Sequence, residues 1–530
     1  MVSKRHNRPM QKISTALTLP LHGVAATRQL EQQAAATLAP HTLMQRAGRA
    51  AAQLSLALAP HAQHIWIACG PGNNGGDGLE AALCLHQWGK AVTVTWLGAP
   101  DPTRAPADAR AAFARAQAAG VPFASEAPQV FDFAIDALFG IGAAPRPAGA
   151  APRSPLAGPW QHRLRHCAQP VLALDVPSGL DADTGADFAP ELIAASPRSA
   201  GAGARFTLSF LTLKPGLFTA AGRDLAGQVW WDGLGVTVPE NLPPDAWLAG
   251  EDRAGGSGRE QAAHASHKGS FGDVAIVGGE SAGQAHMAGA ALLAGRAALH
   301  AGAGRVYVAL LGSATLTVDA RQPELMFRSP EALDLASQVV VCGCGGGAAV
   351  ASVLARILSG AKALVLDADA LNAVAGDTQL QTLLRARHGR GYRTVLTPHP
   401  LEAARLLGGD TASVQANRLQ AAGQLAAQFQ CVVVLKGSGT VIAPAGGVPF
   451  INPTGNARLA TAGTGDVLAG MLGAAMAGGL SALDAACSAV FLHGRLADDW
   501  AALHPGQVLS ASLLAQNHQA DLQQKQQHQG

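Results

Sequence analysis

Asn456-Ala457-Arg458-Leu459-Ala460-Thr461-Ala462-Gly463-Thr464-Gly465-Asp466-Val467-Leu468-Ala469-Gly470 is a turn of small residues whose only acid sits where an apolar helix begins. Backbone N–H groups of Gly463, Thr464 and Gly465 would point along the positive end of the helix dipole toward developing phosphate charge. Asp466 is placed to take a proton from an attacking hydroxyl. An N-capped core helix is the plainer account of the same residues, since Asp is favoured near helix starts. Three further segments carry matching chemistry and favour phosphoryl transfer.

The chain has 530 residues, beyond the size at which one hydrophobic core keeps growing, so two or more domains are expected. A formal charge of only +2 with 14% charged residues leaves no basic field for nucleic acid and no acidic tail. A small neutral or anionic ligand is expected instead. The seven cysteines, Cys69, Cys84, Cys167, Cys342, Cys344, Cys431 and Cys487, are scattered and lack zinc or redox spacing. They read as buried thiols in a reducing compartment. Residues 1–13 carry Lys4, Arg5, Arg8 and Lys12 without an apolar stretch, which is no secretory signal. The charge-free run 467–483 is short and glycine-rich, a buried helix pair rather than a membrane span. A cytoplasmic location without a membrane partner is expected.

Strand-like runs alternate with Ala-rich helical stretches twice over, the pattern of α/β domains whose parallel sheets are covered by helices. In the first half, residues 64–69, 91–97, 130–138, 171–176 and 206–213 read as strands, and 79–88 and 107–119 as helices. In the second half, 273–277, 305–311, 339–342, 363–366, 394–396 and 431–435 repeat the theme. Pro, Gly and Ser gather between the halves. The division is therefore a domain at 15–240, a linker at 241–262, a domain at 263–516 and a polar tail at 517–530. Two three-layer units follow, each with its own core.

The strand at 64–69 runs into Gly70-Pro71-Gly72-Asn73-Asn74-Gly75-Gly76-Asp77-Gly78. This satisfies G-x-G-x-x-G in a strand-to-helix context. Two features argue against a dehydrogenase. Trp96-Leu97-Gly98 supplies no acid for a ribose, and Asp77 would repel a pyrophosphate. The loop offers side-chain oxygens instead, which suit hard cations. Two more strand ends point the same way, Asp136-Ala137-Leu138-Phe139-Gly140 and Asp175-Val176-Pro177-Ser178-Gly179. Asp136 and Ser178 would complete a cation shell with Asn74, leaving Asp175 for substrate or proton transfer. For any one acid a turn-capping role is an equal reading; several such edge loops together favour a site.

These motifs resemble the NAD(P)H-hydrate epimerase family over about residues 44–235. The resemblance implies a Rossmann-like domain that interconverts the R and S forms of nicotinamide dinucleotide hydrated at C6. Potassium would be held by Asn74, Asp136 and Ser178. Substrate would be bound by Asn73, Asn74, Gly75, Gly76 and Asp77, by the loop Gly140, Ile141, Gly142, Ala143, Ala144, Pro145 and Arg146, and by a catalytic Asp175. Lys214 sits where the family tends to carry a lysine, with a solvent-facing strand end as an equal reading.

In the second half, Lys268-Gly269-Ser270-Phe271-Gly272, Asp367-Ala368-Asp369-Ala370-Leu371-Asn372, Thr397-Pro398-His399-Pro400-Leu401-Glu402 and Lys436-Gly437-Ser438-Gly439-Thr440 flank strands. The first precedes a strand that Gly278-Gly279 ends, and each segment thus places polar or glycine groups beyond a C-terminal strand end, the expected ligand side. No P-loop string occurs; Lys436 with its glycines would cradle nucleotide phosphates instead, with a strand-capping lysine as the alternative. His399 fills a rigid turn predicted to face the crevice.

The segments resemble the ribokinase-like superfamily and, within it, the ADP-dependent NAD(P)H-hydrate dehydratases, over about residues 268–514. The resemblance implies a ribokinase-like sheet, Mg2+ and ADP, phosphorylation of the 6-hydroxyl of the S hydrate, and loss of phosphate. Ala290, Gly345, His399 and Asp466 would bind the hydrate, with Asp466 as base. Lys436, Gly437, Ser438, Gly439, Thr440 and Gly465 would bind nucleotide. The chain departs from the family at Gly343-Cys344-Gly345, where glycine-proline-glycine is usual, at Ala462 for a common glycine, and at Arg458 for a small residue. A bifunctional repair enzyme acting on NADHX and NADPHX is expected, as a homo-oligomer. A vitamin-type kinase and a non-catalytic dinucleotide-binding protein are the alternatives.

Overall fold

The buried apolar runs become inner strands of two sheets in the computed structural model of the chain, which describes residues 10–98, 105–142, 156–188, 203–254, 263–282, 285–313 and 316–516. Two compact units result, one of residues 1–14 and 20–246, the other of residues 15–19 and 247–530.

The first unit's sheet runs in the order Gln11–Lys12, Gln228–Asp232, Arg205–Phe210, Val171–Leu174, Phe133–Ala137, His64–Cys69, Ala91–Trp96, Phe123–Ala124. Only Gln11–Lys12 pairs antiparallel. Phe133–Ala137 and Val171–Leu174 are buried throughout, as a parallel sheet covered on both faces requires. The chain leaves His64–Cys69 in one direction and resumes at Phe133–Ala137 in the other. That reversal opens a crevice at the C-terminal strand ends.

The helix read from the sequence as 79–88 spans Asn73–Gln87, so the glycine run is its first turn rather than a loop before it. Glycine is a poor helix former. Here contact overrides propensity: a Cβ on Gly75 would stand 1.8 Å from the Gly70 carbonyl oxygen, and one on Gly76 2.5 Å from Met44 Cε.

In the second unit the order is Met326–Phe327, Arg305–Gly312, Asp273–Ala282, Val339–Cys342, Ala363–Leu366, Arg393–Leu396, Val432–Leu435, Val441–Ala443, Phe450–Ile451. The strands are parallel up to Val432–Leu435 and antiparallel beyond it. Alternation divides the side chains between two cores. Val274, Ile276 and Val341 pack with the helices Ala288–His300, Thr464–Ala477 and Ala482–Leu503. Ala275, Val277 and Val340 pack with Val350–Gly360, Ala368–Gly376 and Arg418–Phe429 on the other face.

The segment read as a linker is not wholly unstructured. Trp247 and Leu248 pair in parallel with Phe450 and Ile451, a buried-facing pattern too short to register as a strand in the sequence. The same unit takes in residues 15–19: Thr18 N–H and Oγ1–H both donate to Asp252 Oδ1 at 2.8 Å, and Glu251 N–H donates to the Thr15 carbonyl at 2.8 Å. Residues 255–262 and the polar tail 517–530 lie outside the described residues. The charge-free run 467–483 divides between two helices, Thr464–Ala477 and Ala482–Leu503. Among the described residues no helix is long and apolar enough to cross a membrane.

Candidate active sites

At the crevice of the first unit lies a cavity of about 560 Å³. Asn73, Asn74, Asp77, Gly140, Ile141, Gly142 and Asp175 line it, together with Thr27, Arg28, Glu31 and His41 from N-terminal segments. Gly75 and Gly76 do not; they serve the close packing just described. Ala143, Ala144, Pro145 and Arg146 lie outside the described residues.

Asp136, near the end of Phe133–Ala137, and Ser178 are both buried. Ser178 donates to the carboxylate twice, through Oγ–H at 2.6 Å and N–H at 3.0 Å, and Leu138 N–H donates at 3.2 Å. Burial nevertheless raises the Asp136 pKa, the Ser178 hydrogen bonds opposing it. Ser178 Oγ also accepts from Phe139 N–H at 2.9 Å. The next residue abuts Asn74: a Cβ on Gly140 would stand 3.1 Å from Asn74 Oδ1. Asn74 Oδ1 and Nδ2 are buried without a hydrogen-bond partner among the described residues. A buried amide left unsatisfied beside a buried carboxylate is costly, and an oxygen-liganded monovalent cation fits this donor set.

Asp175 follows Val171–Leu174 with φ +65°, a left-handed conformation that Asp tolerates better than most residues. Its N–H is fixed by the Leu208 carbonyl at 2.8 Å, and its carboxylate meets the ammonium of Lys214. Lys214 is 0% exposed and also donates to the Phe210 carbonyl at 2.7 Å. The solvent-facing reading of this lysine is therefore overturned. Burial, then the carboxylates of Asp175 and Glu31, push Asp77 well above the usual carboxylate range. The cavity thus holds a salt-bridged carboxylate and a proton-retaining one, an acid–base arrangement.

In the second unit the site groups stand just beyond strand ends. Asp367 follows Ala363–Leu366, is buried, and accepts from Lys436 Nζ at 2.6 Å and Thr397 Oγ1 at 2.7 Å. Burial works against the Lys436 ammonium, but Asp367 and Glu402 outweigh it and raise its pKa. Gly437 (φ +135°) and Gly439 (φ +59°) turn the chain after Lys436, and the turn is closed by Thr440 Oγ1–H on the Gly437 carbonyl at 3.0 Å. Buried Arg418 supports that turn, donating to the Leu435 and Lys436 carbonyls at 3.1 Å each.

Asp466 lies in the first turn of Thr464–Ala477, whose N-cap Gly463 has φ +90°. The first N–H groups of a helix lack intrahelical acceptors. Burial pushes the Asp466 pKa up to about 6, Asp367 adding to the shift while the Cys344 thiol and Lys436 oppose it. Ligand atoms of Cys344, Asp367 and Asp466 all lie within 4.8 Å of one another. A Cβ on Gly465 would stand 3.4 Å from Lys436 Nζ, so that glycine faces the ammonium. Gly345 (φ +58°) lies against Ala290, whose Cβ would be 2.9 Å from a Cβ there.

His399 is exposed and caps the helix Pro400–Leu407: Nδ1 accepts from Leu401 N–H at 3.1 Å, and Nε2 faces Glu402 Oε1 at 3.1 Å. Burial and then the Lys436 ammonium lower its pKa, which favours the neutral imidazole.

Sequence reasoning did not single out five residues that the structure places at these two sites. Cys344 read as an inert core thiol; it is indeed buried, but its sulfur lies within 4.8 Å of the carboxylates of Asp367 and Asp466. Asp367 carried a signal, an acid at the end of an apolar strand, but not its pairing with Lys436. Arg28 and Glu31, from the helix Val24–Ala35, and His41, which precedes the helix Thr42–Leu58, reach the first cavity from segments distant in sequence and left no local signal.

Residues 274–519 match the family model of NAD(P)H-hydrate dehydratase, and residues 40–216 that of the YjeF-related protein N-terminus. The chain is 37% identical over 482 residues to the bifunctional NAD(P)H-hydrate repair enzyme of Escherichia coli (strain K12), spanning 87% of this chain and 85% of that one. It is 35% identical over 488 residues to the protein of the same name from Coxiella burnetii, spanning 89% and 93%. It is 44% identical over 241 residues to the ADP-dependent (S)-NAD(P)H-hydrate dehydratase of Neisseria meningitidis serogroup B, spanning 44% and 78%.

Proposed function

The chain belongs to the family of bifunctional NAD(P)H-hydrate repair enzymes, and from that premise we propose how its residues divide the work. The N-terminal unit epimerises the R and S hydrates of NADH and NADPH; the C-terminal unit dehydrates the S form at the expense of ADP. The observation that carries the second assignment is Asp466, half-buried at a glycine-capped helix start and grouped with Asp367, which Lys436 holds.

Asp466 accepts the proton of the 6-hydroxyl as that oxygen attacks the terminal phosphorus of ADP, releasing AMP. Lys436, the glycine turn after it and the amides of Gly463 to Gly465 carry the charge of the phosphoryl in transit. The C6–O bond then breaks with its electron pair leaving on phosphate. C5 gives up a proton, and the C5–C6 double bond of NADH or NADPH returns. Mg2+ would enter with ADP and neutralise its diphosphate. The carboxylates of Asp367 and Asp466 suit a hard cation, but the Cys344 thiol does not and Lys436 already holds Asp367. This chain therefore offers that metal only part of a shell.

Purified protein given mixed NADH hydrates should restore all NADH absorbance when ADP and magnesium are present, and none when ADP is left out. Recovery stopping at the S fraction would remove the epimerase; a phosphorylated alcohol without phosphate release would make the unit a kinase.

Because Asp466 must be ionised to act, kcat/KM of dehydration should rise about tenfold per pH unit up to about pH 6 and level off above it. Initial rates at saturating ADP across that range check this. A profile flat through pH 6 would exclude Asp466 as the base.

In the first unit, Asp175 and Asp77 are the groups that move protons at the hydrated ring. Potassium would be held by Asn74, Asp136 and Ser178, and when bound it supplies positive charge beside a buried carboxylate. Potassium should therefore raise the melting temperature of the wild-type first unit relative to an equal concentration of choline, and the rise should vanish in Asn74→Ala. Equal shifts in both proteins would remove Asn74 from the cation site.

A further inference from the structure

The cavity of the first unit is acidic, with Glu31, Asp77, Asp108 and Asp175 all lining it. The repair reading, on which this inference rests, asks that cavity to accept a dinucleotide carrying a diphosphate, and carboxylates repel one. Most of the charge there is already committed. Asp175 is tied to Lys214, and Asp108 to His41 at 2.5 Å. Burial leads in pushing both Asp77 and Glu31 toward their neutral forms, with the neighbouring Asp175 carboxylate adding to it.

Arg28 is the exception. It lines the cavity from the helix Val24–Ala35, is exposed, and makes no hydrogen bond or ion pair among the described residues. Its charge is felt by Glu31 and by Asp183 without direct contact. One terminal nitrogen lies 3.9 Å from where a Cβ on Gly142 would stand, so the guanidinium reaches the cavity loop that carries Gly140 and Gly142. A glycine there leaves backbone and guanidinium open to a ligand rather than to a side chain.

We infer that Arg28 is the phosphate anchor of the epimerase cavity, binding the diphosphate of the hydrated dinucleotide through its planar fork of donors. Among the described residues the other basic side chain lining the cavity, that of His41, is engaged by Asp108, and Lys214 is sequestered behind Asp175. The guanidinium then sets the orientation of the ligand. A dinucleotide is held in the pose that puts its phosphates on Arg28 and its ring toward Asp77 and Asp175.

The test uses the full chain. With ADP and magnesium in excess, the S hydrate is consumed first, and the slower recovery of NADH absorbance reports R-to-S exchange. Arg28→Gln should raise KM for exchange of the R hydrate of NADH about ten- to a hundredfold with kcat little changed, and Arg28→Lys should recover part of the loss. Hydrated NADPH should behave like hydrated NADH. Hydrated dihydronicotinamide riboside, which has no phosphate, should be exchanged equally by wild type and Arg28→Gln. A KM unchanged for the dinucleotides, a loss confined to hydrated NADPH, or an equal loss for the riboside would each overturn the anchor. Wild-type protein showing no exchange at all would instead sink the epimerase reading itself.

Discussion

Asp466→Asn should leave the chain unable to regenerate NADH from the S hydrate, kcat falling about a thousandfold, while R and S hydrates still exchange. The amide keeps the size of the side chain and its contact with Cys344, but it cannot accept the hydroxyl proton. Stability should move the opposite way. A carboxyl whose pKa is raised by folding costs stability above its folded value, here about 6, and costs nothing once pH drops below the ordinary carboxylate range. The neutral amide escapes that cost. The second unit of Asp466→Asn should melt about 2–4 °C higher than wild type at neutral pH for each kcal/mol released, and at the same temperature near pH 3. Chromatographic separation of the epimers and calorimetry at both pH values test the pair of effects. Loss of exchange together with dehydration would contradict separate sites.

The second large effect belongs to Lys214. Its ammonium is fully buried and joined to Asp175, so Lys214→Met strips a buried carboxylate of its partner. Removing one half of such a pair typically costs about 3–5 kcal/mol. The first unit should lose stability on that scale and lose epimer exchange, with dehydration of the S hydrate preserved. Asp175→Asn should also abolish exchange but at smaller cost, since Asn tolerates the positive φ and leaves the lysine its carbonyl and hydroxyl acceptors. Calorimetry and exchange assays on both variants check the ordering. A Lys214→Met protein as stable as wild type would mean the pair contributes nothing to the fold.

What could be read in advance follows from where the information sits. Residues 64–69, 339–342 and 363–366 appear as strands with the expected bounds because strands buried on both faces are continuous apolar runs bounded by polar or glycine residues. The helix at Asn73 was hidden because its first turn is built of residues that disfavour helix in isolation. Trp247 and Leu248 were lost in a Pro- and Gly-rich stretch, since two residues carry no periodicity. At the candidate sites, the positions of Asn74, Asp136, Asp175 and Lys436 at or near C-terminal strand ends were legible, and so was that of Asp367, though not its pairing with Lys436. Lys214 could not be oriented, because whether a strand-end lysine turns inward depends on an acid elsewhere in the chain. Cys344 was unreadable for the same reason, since Asp466 is brought beside it only by folding, and Arg28 because the cavity it lines is assembled from segments distant in the chain.

The segment at residues 15–19 complicates any dissection of this gene. It precedes nearly the whole first core in the chain, yet its hydrogen bonds are with Glu251 and Asp252 of the second. A clone opened after Ala246 encodes the dehydratase core without that strap, and a clone closed there leaves the strap dangling. The coding order is thus interleaved rather than tandem, and a clean separation of the activities requires relocating five codons as well as cutting.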